Sequence, residues 1–362
     1  MRMKILMVGT KPPPFHGQSI AFGSAVEAIV DEKMLVSTSF RKKSTIESFS
    51  VFILYFFKTI WARFFFRPQV VYFLCSRSYI GLVRDLWLLL LFYRSPAIIC
   101  NHLHGSSLKQ FYYSLPWLVR NIVARMYKRV DRHAVLIDGM QEQLSFLGSQ
   151  TEIKVIPNYF PNVPSSCKIN RDYNSSVISL IYLSSIVKTK GIFDVVSAVE
   201  KLIETGYKVK LTIAGGFVGD AEMSAASVEK SFFDAINSRG YVEYVGIVNE
   251  EKKYQLLGQN HIFILPTYYI SEAVPLSIIE AMRMGCCIIT TNYKYLPLMV
   301  KNRVNGMLVC IKSPTDIGRK IEILIKDRKF LEIISKKNIK EATKKYSEHC
   351  YQNAIRKFVG VN

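Results

Sequence analysis

Twelve short apolar runs, separated by stretches whose apolar residues recur at helical spacing, constrain this chain of 362 residues more than any other feature. Such alternation builds parallel sheets, because a parallel neighbour can be reached only through a crossover, usually a helix. The first series predicts strands near Lys4–Gly9, Met34–Phe40, Val70–Leu74, Ala97–Cys100, His133–Ile137 and Ile153–Ile156. The second predicts them near Val177–Leu183, Lys208–Ala214, Val242–Val245, His261–Leu265, Cys286–Thr290 and Met307–Cys310. Each series reads as one doubly wound α/β domain. Between them Pro157, Pro161 and Pro164, with polar neighbours, mark a stretch unsuited to helix or strand. The expected organisation is a first domain over residues 1–165, a second over 166–345 and a terminal helical segment over 346–362.

The length allows each domain its own core, and 49% hydrophobic residues exclude a disordered chain. The seven cysteines form no C-x-x-C pair and read as reduced core residues of a cytoplasmic protein. Met1–Lys4 leads straight into a strand-like run, so no secretory signal is expected. The longest threatening apolar run, Leu86–Tyr93, has eight residues, far short of the ~20 that span a bilayer.

Chemistry concentrates where predicted strands end. After His261–Leu265 and Pro266 come Glu272 and Glu280, separated by seven residues across a loop-to-helix junction. Pro275 suits the first helical turn, and Pro275, Ile278, Ile279 and Met282 recur at i, i+3, i+4, i+7 before Gly285 stops the helix. Glu280 lies about 140° round from Pro275, off that apolar stripe. Backbone N–H groups near Ala273, Val274, Pro275 and Leu276 form an expected anion site at the positive end of the helix. Two carboxylates flanking an anion site suit hydroxyls on either side of a phosphate. The competing reading makes Glu272 an ordinary cap-region acid and Glu280 a solvated helix residue.

Beyond Val177–Leu183, Ser184 and Ser185 lead to Lys190-Gly191 at the start of a helix with Ile192, Val195, Val196, Val199, Leu202 and Ile203 in register. Lys190 is then expected on the same sheet edge as the Glu272 loop, where a lysine can neutralise a diphosphate. In the first domain, Gly17 follows a proline-stiffened loop at a helix start and permits close approach to an anion; a plain turn glycine is the alternative. His102 and His104 stand in NHLHGSS after an apolar strand, and no further histidine lies nearby to complete a metal site. The absence of Asp-x-Asp leaves no obvious acidic pair to chelate a metal against a diphosphate, so no metal cofactor is expected. The absence of Gly-x-Gly-x-x-Gly argues against a nicotinamide enzyme.

The segment with Pro266, Glu272, Pro275, Glu280-Ala281-Met282, Gly285 and Asn305-Gly306-Met307-Leu308-Val309 resembles the carboxyl-terminal domain of retaining glycosyltransferases of family 4. The resemblance implies the GT-B fold, two Rossmann-like domains facing a central cleft, with residues 346–362 returning to the first. It implies that Glu272 contacts the donor sugar and Glu280 the ribose hydroxyls, that Lys190 and Ser185 occupy the basic pair on the donor diphosphate, and that Gly17 and His104 contact substrate, His102 being a structural partner. Ala273-Val274 stand where the family usually has Gly-Phe, and Ser184-Ser185 where it has Gly-Arg.

The formal net charge of +20 is uneven. Phe40 to Arg132 holds fifteen Lys and Arg against three acids, a net of +12, interleaved with VFILYFF, Trp61, Phe64-Phe65-Phe66, LWLLLLFY and Tyr112-Tyr113. Cationic, aromatic-rich amphipathic segments suit an anionic membrane surface. Helices that merely cover a sheet are the bland alternative, and no nucleic-acid partner is expected without a recognised motif. Together these features predict a metal-independent glycosyltransferase, cytoplasmic and peripheral at the inner membrane face. Its donor would be a nucleotide diphosphate sugar and its acceptor a polyprenyl-diphosphate-linked saccharide, in synthesis of bacterial O-antigen, capsule or exopolysaccharide. A sugar-nucleotide 2-epimerase of similar fold and a non-catalytic membrane scaffold are the rival readings.

Overall fold

The computed structural model describes residues 2–13, 16–38, 45–148, 151–237 and 239–361. Pro14 and Phe15 of the first loop and Phe40–Lys43 of the basic segment lie outside them, as does the side chain of Glu47. The chain divides into two compact units, Met1–Asn158 with Glu348–Asn362, and Tyr159–Ser347.

In the first unit β1 (Lys4–Gly9), β2 (Glu32–Ser37), β3 (Val70–Phe73), β4 (Ile98–Leu103), β5 (Arg132–Val135) and β6 (Ile153–Val155) form a parallel sheet in the order β2-β1-β3-β4-β5-β6. Its crossovers carry α1 (Gly17–Ala28), α2 (Thr45–Trp61), α3 (Tyr79–Leu91), α4 (Leu108–Ser114) and α5 (Trp117–Tyr127). The central strands are covered on both faces, which is why VVYF of β3 is an unbroken apolar run, buried throughout. β4 runs on to Leu103, beyond the expected Cys100, and so carries Asn101 and His102 on the sheet.

In the second unit β7 (Ile178–Leu183), β8 (Val209–Ala214), β9 (Val242–Tyr244), β10 (Ile262–Leu265), β11 (Cys287–Thr291) and β12 (Gly306–Val309) pair in the order β12-β11-β10-β7-β8-β9, again parallel. The helices are α6 (Ile192–Glu204), α7 (Ala225–Ile236), α8 (Glu250–Gln259), α9 (Leu276–Arg283), α10 (Leu296–Met299), α11 (Pro314–Lys326) and α12 (Arg328–Lys345). On α6 the expected stripe is buried, Ile192, Val195, Val196, Val199 and Leu202 all facing the core. The proline-rich stretch after Ile156 forms neither helix nor named strand, yet it is strapped to this unit. Phe160 N–H donates to the Tyr346 carbonyl (2.9 Å), and the Arg171 guanidinium donates to the carbonyls of Leu257, Asn260 and Met284, each at 2.5 Å.

The last helix, α13 (Glu348–Val359), packs on α1 of the first unit. Tyr351 O–H donates to the Ala21 carbonyl (2.9 Å), Arg356 Nε to the Ala28 carbonyl (2.8 Å), and Ser24 O–H to Glu348 (2.9 Å). All seven cysteines are free. Cys75, Cys100, Cys286 and Cys287 are core residues as expected, whereas Cys310 and Cys350 are exposed. Among the described residues, no helix is long and apolar enough to cross a membrane.

Candidate active site

In the second unit the strand order reverses between β7 and β10, and a doubly wound sheet binds ligands at the carboxyl ends of the strands flanking such a reversal. The loops that leave those two strands carry Lys190 and Glu272. They are stitched together by backbone: Tyr268 N–H donates to the Thr189 carbonyl at 2.8 Å. Gly191, with φ of 78°, lies so close to the second loop that an added Cβ would stand 2.5 Å from the Pro266 carbonyl oxygen. A side chain at residue 191 would force the loops apart.

Within this corner Lys190 Nζ donates to Ser184 Oγ (2.8 Å), stands 3.9 Å from Glu272 Oε2 and lies 5.9 Å from the Tyr269 ring centre. Thr267 O–H donates to the same Glu272 oxygen (3.3 Å), while Tyr269 N–H donates to Thr267 Oγ1 (3.1 Å). Thr291 O–H on β11 holds the Thr267 carbonyl. The carboxylate is thus gripped from its own loop and faced by a lysine from the other. Burial, then the Glu272 charge, pushes the Tyr182 phenol on β7 upward, so it stays a neutral donor, to the Ser185 carbonyl at 3.3 Å. The Ser185 side chain is exposed; Ser184 is the serine that meets Lys190. Lys188 turns to Glu222 (3.2 Å) instead of standing beside Lys190.

Glu280 lies on α9, whose start at Leu276 leaves Pro275 as the cap residue. The expected one-sided stripe is corrected here. Leu276, Ile278, Ile279, Glu280, Ala281 and Met282 are all buried, because α8 and α12 flank the helix as well as the sheet. Glu280 is therefore not a solvated flank residue; its side chain is 5% exposed, and Lys253 of α8 holds Oε1 at 2.6 Å. Lys253 also stands 3.7 Å from Glu250 and 4.9 Å from the Tyr254 ring centre. Ala273, Val274 and Pro275 are buried too, so the turn expected to meet an anion is firmly seated.

Lys253 escaped the sequence reading, since a lysine on a polar helix 27 residues upstream carries no local sign of its partner. Ala214-Gly215-Gly216, a mere fragment of a nucleotide motif, has a packing explanation. Gly215, φ 151°, abuts the Ser184 carbonyl, where an added Cβ would stand 1.9 Å away.

In the first unit the order reverses between β1 and β3. Gly17 opens α1, capped by the His16 ring: Nδ1 accepts the Ser19 N–H (3.1 Å) while Ser19 Oγ accepts the His16 N–H (3.1 Å). At the end of β4 the His102 and His104 rings lie 4.2 Å apart, His102 Nδ1 meeting Tyr72 Oη at 3.0 Å. Burial lowers the His102 pKa to about 3. It also lowers His104 well below its usual value, helped by His102, Arg77 and His16, so His104 is a neutral ring. Neither His104 ring nitrogen meets a hydrogen-bond partner among the described residues.

Two parallel six-stranded sheets, each with a point where the strand order reverses, define two Rossmann-like units. Residues 171–345 match the family described as glycosyl transferases group 1. The chain is 30% identical over 142 residues to the N,N'-diacetylbacillosaminyl-diphospho-undecaprenol alpha-1,3-N-acetylgalactosaminyltransferase of Campylobacter jejuni, covering 39% of this chain and 34% of that one. To the capsular polysaccharide biosynthesis glycosyltransferase CapM of Staphylococcus aureus it is 26% identical over 166 residues, 46% of this chain and 41% of CapM. The matches thus span well under half the length of these relatives. Among solved structures, sucrose-phosphate synthase from Thermosynechococcus elongatus superposes with a TM-score of 0.72 at 14% identity, over 98% of both chains. Anabaena HepE in complex with UDP and glucose gives 0.70 at 14% identity, over 99% of both. The fold is GT-B.

Proposed function

We propose that this chain is a retaining, metal-independent glycosyltransferase that moves a sugar from a nucleotide diphosphate donor to a polyprenyl-diphosphate-linked saccharide during bacterial surface polysaccharide synthesis. The observation that carries the reading is the Lys190–Glu272 pair, 3.9 Å apart where the strand order reverses, with buried Glu280 on the helix that follows. The relatives' names, one acting on a diphospho-undecaprenol-linked sugar and one in capsule synthesis, support the acceptor class.

In this reading Glu272 takes hydroxyls of the donor sugar and Glu280, whose Oε1 is fixed by Lys253, takes the ribose hydroxyls. Lys190 has three N–H donors; Ser184 occupies one and Glu272 attracts another, which leaves a donor for the diphosphate. As the acceptor oxygen bonds to the anomeric carbon, the bond from that carbon to the diphosphate oxygen breaks, and the acceptor's hydroxyl proton passes to the departing diphosphate. The charge gathering on the departing diphosphate is met by Lys190 and by the N–H groups at the start of α9. Gly17 and neutral His104 are the first unit's proposed contacts with substrate. The cationic, aromatic helices of that unit support a position at the inner face of an anionic membrane.

The test is a panel of labelled nucleotide sugars offered with polyprenyl-diphosphate-linked acceptors, scored for an extended glycolipid and for the anomer formed. An extended lipid with the donor's anomeric configuration is expected. No transfer from any donor, by folded protein, would overturn the reading.

A further inference from the structure

The crossover from β2 to β3 ends in an unusual way. α2 passes into a π-helical turn, Ala62–Phe66, which closes on Arg67 in the left-handed region (φ 53°), with the Arg67 N–H on the Ala62 carbonyl at 2.8 Å. Such turns recur at functional sites. Here the turn buries Phe66 and leaves its neighbours Phe64 and Phe65 outside, the latter 71% exposed. They continue a line of exposed apolar side chains down α2 through Leu54, Phe57 and Trp61. α3 packs beside α2 through the Phe56–Trp87 rings (4.8 Å) and adds Ile80, Val83 and Leu90 to the exposed apolar surface.

At the foot of this face, where β1, β3 and β4 begin, two hollows of about 380 and 510 Å³ adjoin, sharing Arg67 and Gln69. Arg63 and Arg67 line one; Arg2, Lys4 and Arg67 line the other, with Phe64 and Phe65 at its rim. Among the described residues neither lining contains a carboxylate, and Lys4 pairs with exposed Glu32 at 3.7 Å. The Arg63 guanidinium is braced over the Phe92 ring at 5.9 Å, and Arg67 Nε on the Phe64 carbonyl at 3.0 Å.

We propose that these hollows hold the phosphate headgroups of anionic phospholipids while Phe64, Phe65, Trp61 and Phe57 enter the acyl boundary, so that the α2–α3 face lies against the bilayer. The inference rests on the membrane placement proposed above and names its contact. Three arginines with no ion pair among the described residues, joined by Lys4 with its exposed partner Glu32, select an anion, and the aromatic rim selects an anion that carries a hydrocarbon tail. Because α3 starts at the carboxyl end of β3 and α2 finishes at the foot, the face extends from the strand ends that carry the first unit's own Gly17 and His104 loops downward. A lipid-borne acceptor would then stay at that upper edge.

The experiment uses the full chain with vesicles of phosphatidylcholine alone or with a share of phosphatidylglycerol, read by co-sedimentation. Binding is expected only to the anionic vesicles and to weaken with salt. Arg63→Gln with Arg67→Gln should weaken it roughly 30-fold, at about tenfold for every 1.4 kcal/mol and about 1 kcal/mol per base. Phe64→Ser with Phe65→Ser should weaken it while keeping the preference for anionic lipid. Lys337→Gln with Lys340→Gln on α12, the same charge change at exposed sites, should leave it within a few-fold. Equal loss in that control, binding of free inorganic phosphate but not of vesicles, or self-association through the phenylalanines without vesicle binding would each overturn the proposal. Transfer to a short water-soluble acceptor should persist in the arginine and phenylalanine variants. Vesicle binding without transfer from any donor would refute the function and leave this inference standing.

Discussion

Lys253→Met isolates the Glu280 carboxylate. Lys253 Nζ lies 2.6 Å from Glu280 Oε1, and the two side chains are 14% and 5% exposed, so water screens the pair poorly. Breaking such a pair by removing one partner typically costs 3–5 kcal/mol, mostly the penalty of a buried charge left alone. Lys253 keeps some exposure, which favours the lower end, about 3 kcal/mol. For a unit of this size 1 kcal/mol moves the melting midpoint by about 2–4 °C, so the second unit should melt roughly 6–12 °C lower. Lys253→Met with Glu280→Met removes both charges and should recover most of that loss, since an apolar pair of similar volume often equals a buried ion pair. Donor binding should fail in both variants, because the carboxylate proposed for the ribose is displaced in one and absent in the other. Calorimetric melts and donor titrations separate the two effects. A single variant that melts within 1 °C of the parent, or a double variant that melts lower than the single, would show that this contact does not hold Glu280.

Gly191→Ala meets two obstacles, a left-handed backbone and a Cβ 2.5 Å from the Pro266 carbonyl. The loops bearing Lys190 and Glu272 should separate, and a displacement of 1 Å is enough to cost about 10²-fold in transfer rate; parental kcat in this variant would sink the loop-contact argument. Lys190→Gln should lower kcat by about 10²-fold or more, with only partial recovery in Lys190→Arg, whose planar fork cannot take the ammonium's place at Ser184. Unchanged kcat would remove Lys190 from the leaving group. Burial lowers His102 to about 3 and His133 to about 4, against 6.5 for a free histidine. Below pH 6.5 the unfolded chain takes up protons that the folded chain refuses. The stabilisation these rings give is therefore complete above 6.5 and is lost as the pH falls toward 4, at about 1.4 kcal/mol per unit for each ring. Melting midpoints should drop steeply between pH 6.5 and 5, and a flat profile there would mean that the rings are not buried neutral.

The strands were legible because a strand covered on both faces must be apolar throughout, as in β3 and in IFIL of β10, and because prolines and glycines punctuate their ends. The Glu272–Lys190 encounter was legible for a topological reason. Both residues follow strand ends, and in a parallel sheet all such ends lie on one edge, so only strand order was missing. Order is set by which helices cross over which strands, and local spacing does not encode it.

What stayed hidden was every arrangement that depends on a distant chain. Helical periodicity reported one buried stripe on α9, because it registers only contrast between faces. With α8 and α12 on its flanks the helix has almost no solvent face, and an acid at such a position needs a counter-charge from another element. Lys253 supplies it, and a lysine among EEKKYQ looks like any solvated helix residue. The same limit applies to Ser184 and Ser185. As neighbours in a loop they are equivalent in the sequence. Backbone direction decides between them, because Gly215 packs on the Ser184 carbonyl and fixes which hydroxyl can turn to Lys190. A buried carboxylate at helical spacing is therefore best treated as half of a pair, and the search for its partner should run over whole helices rather than over neighbouring residues.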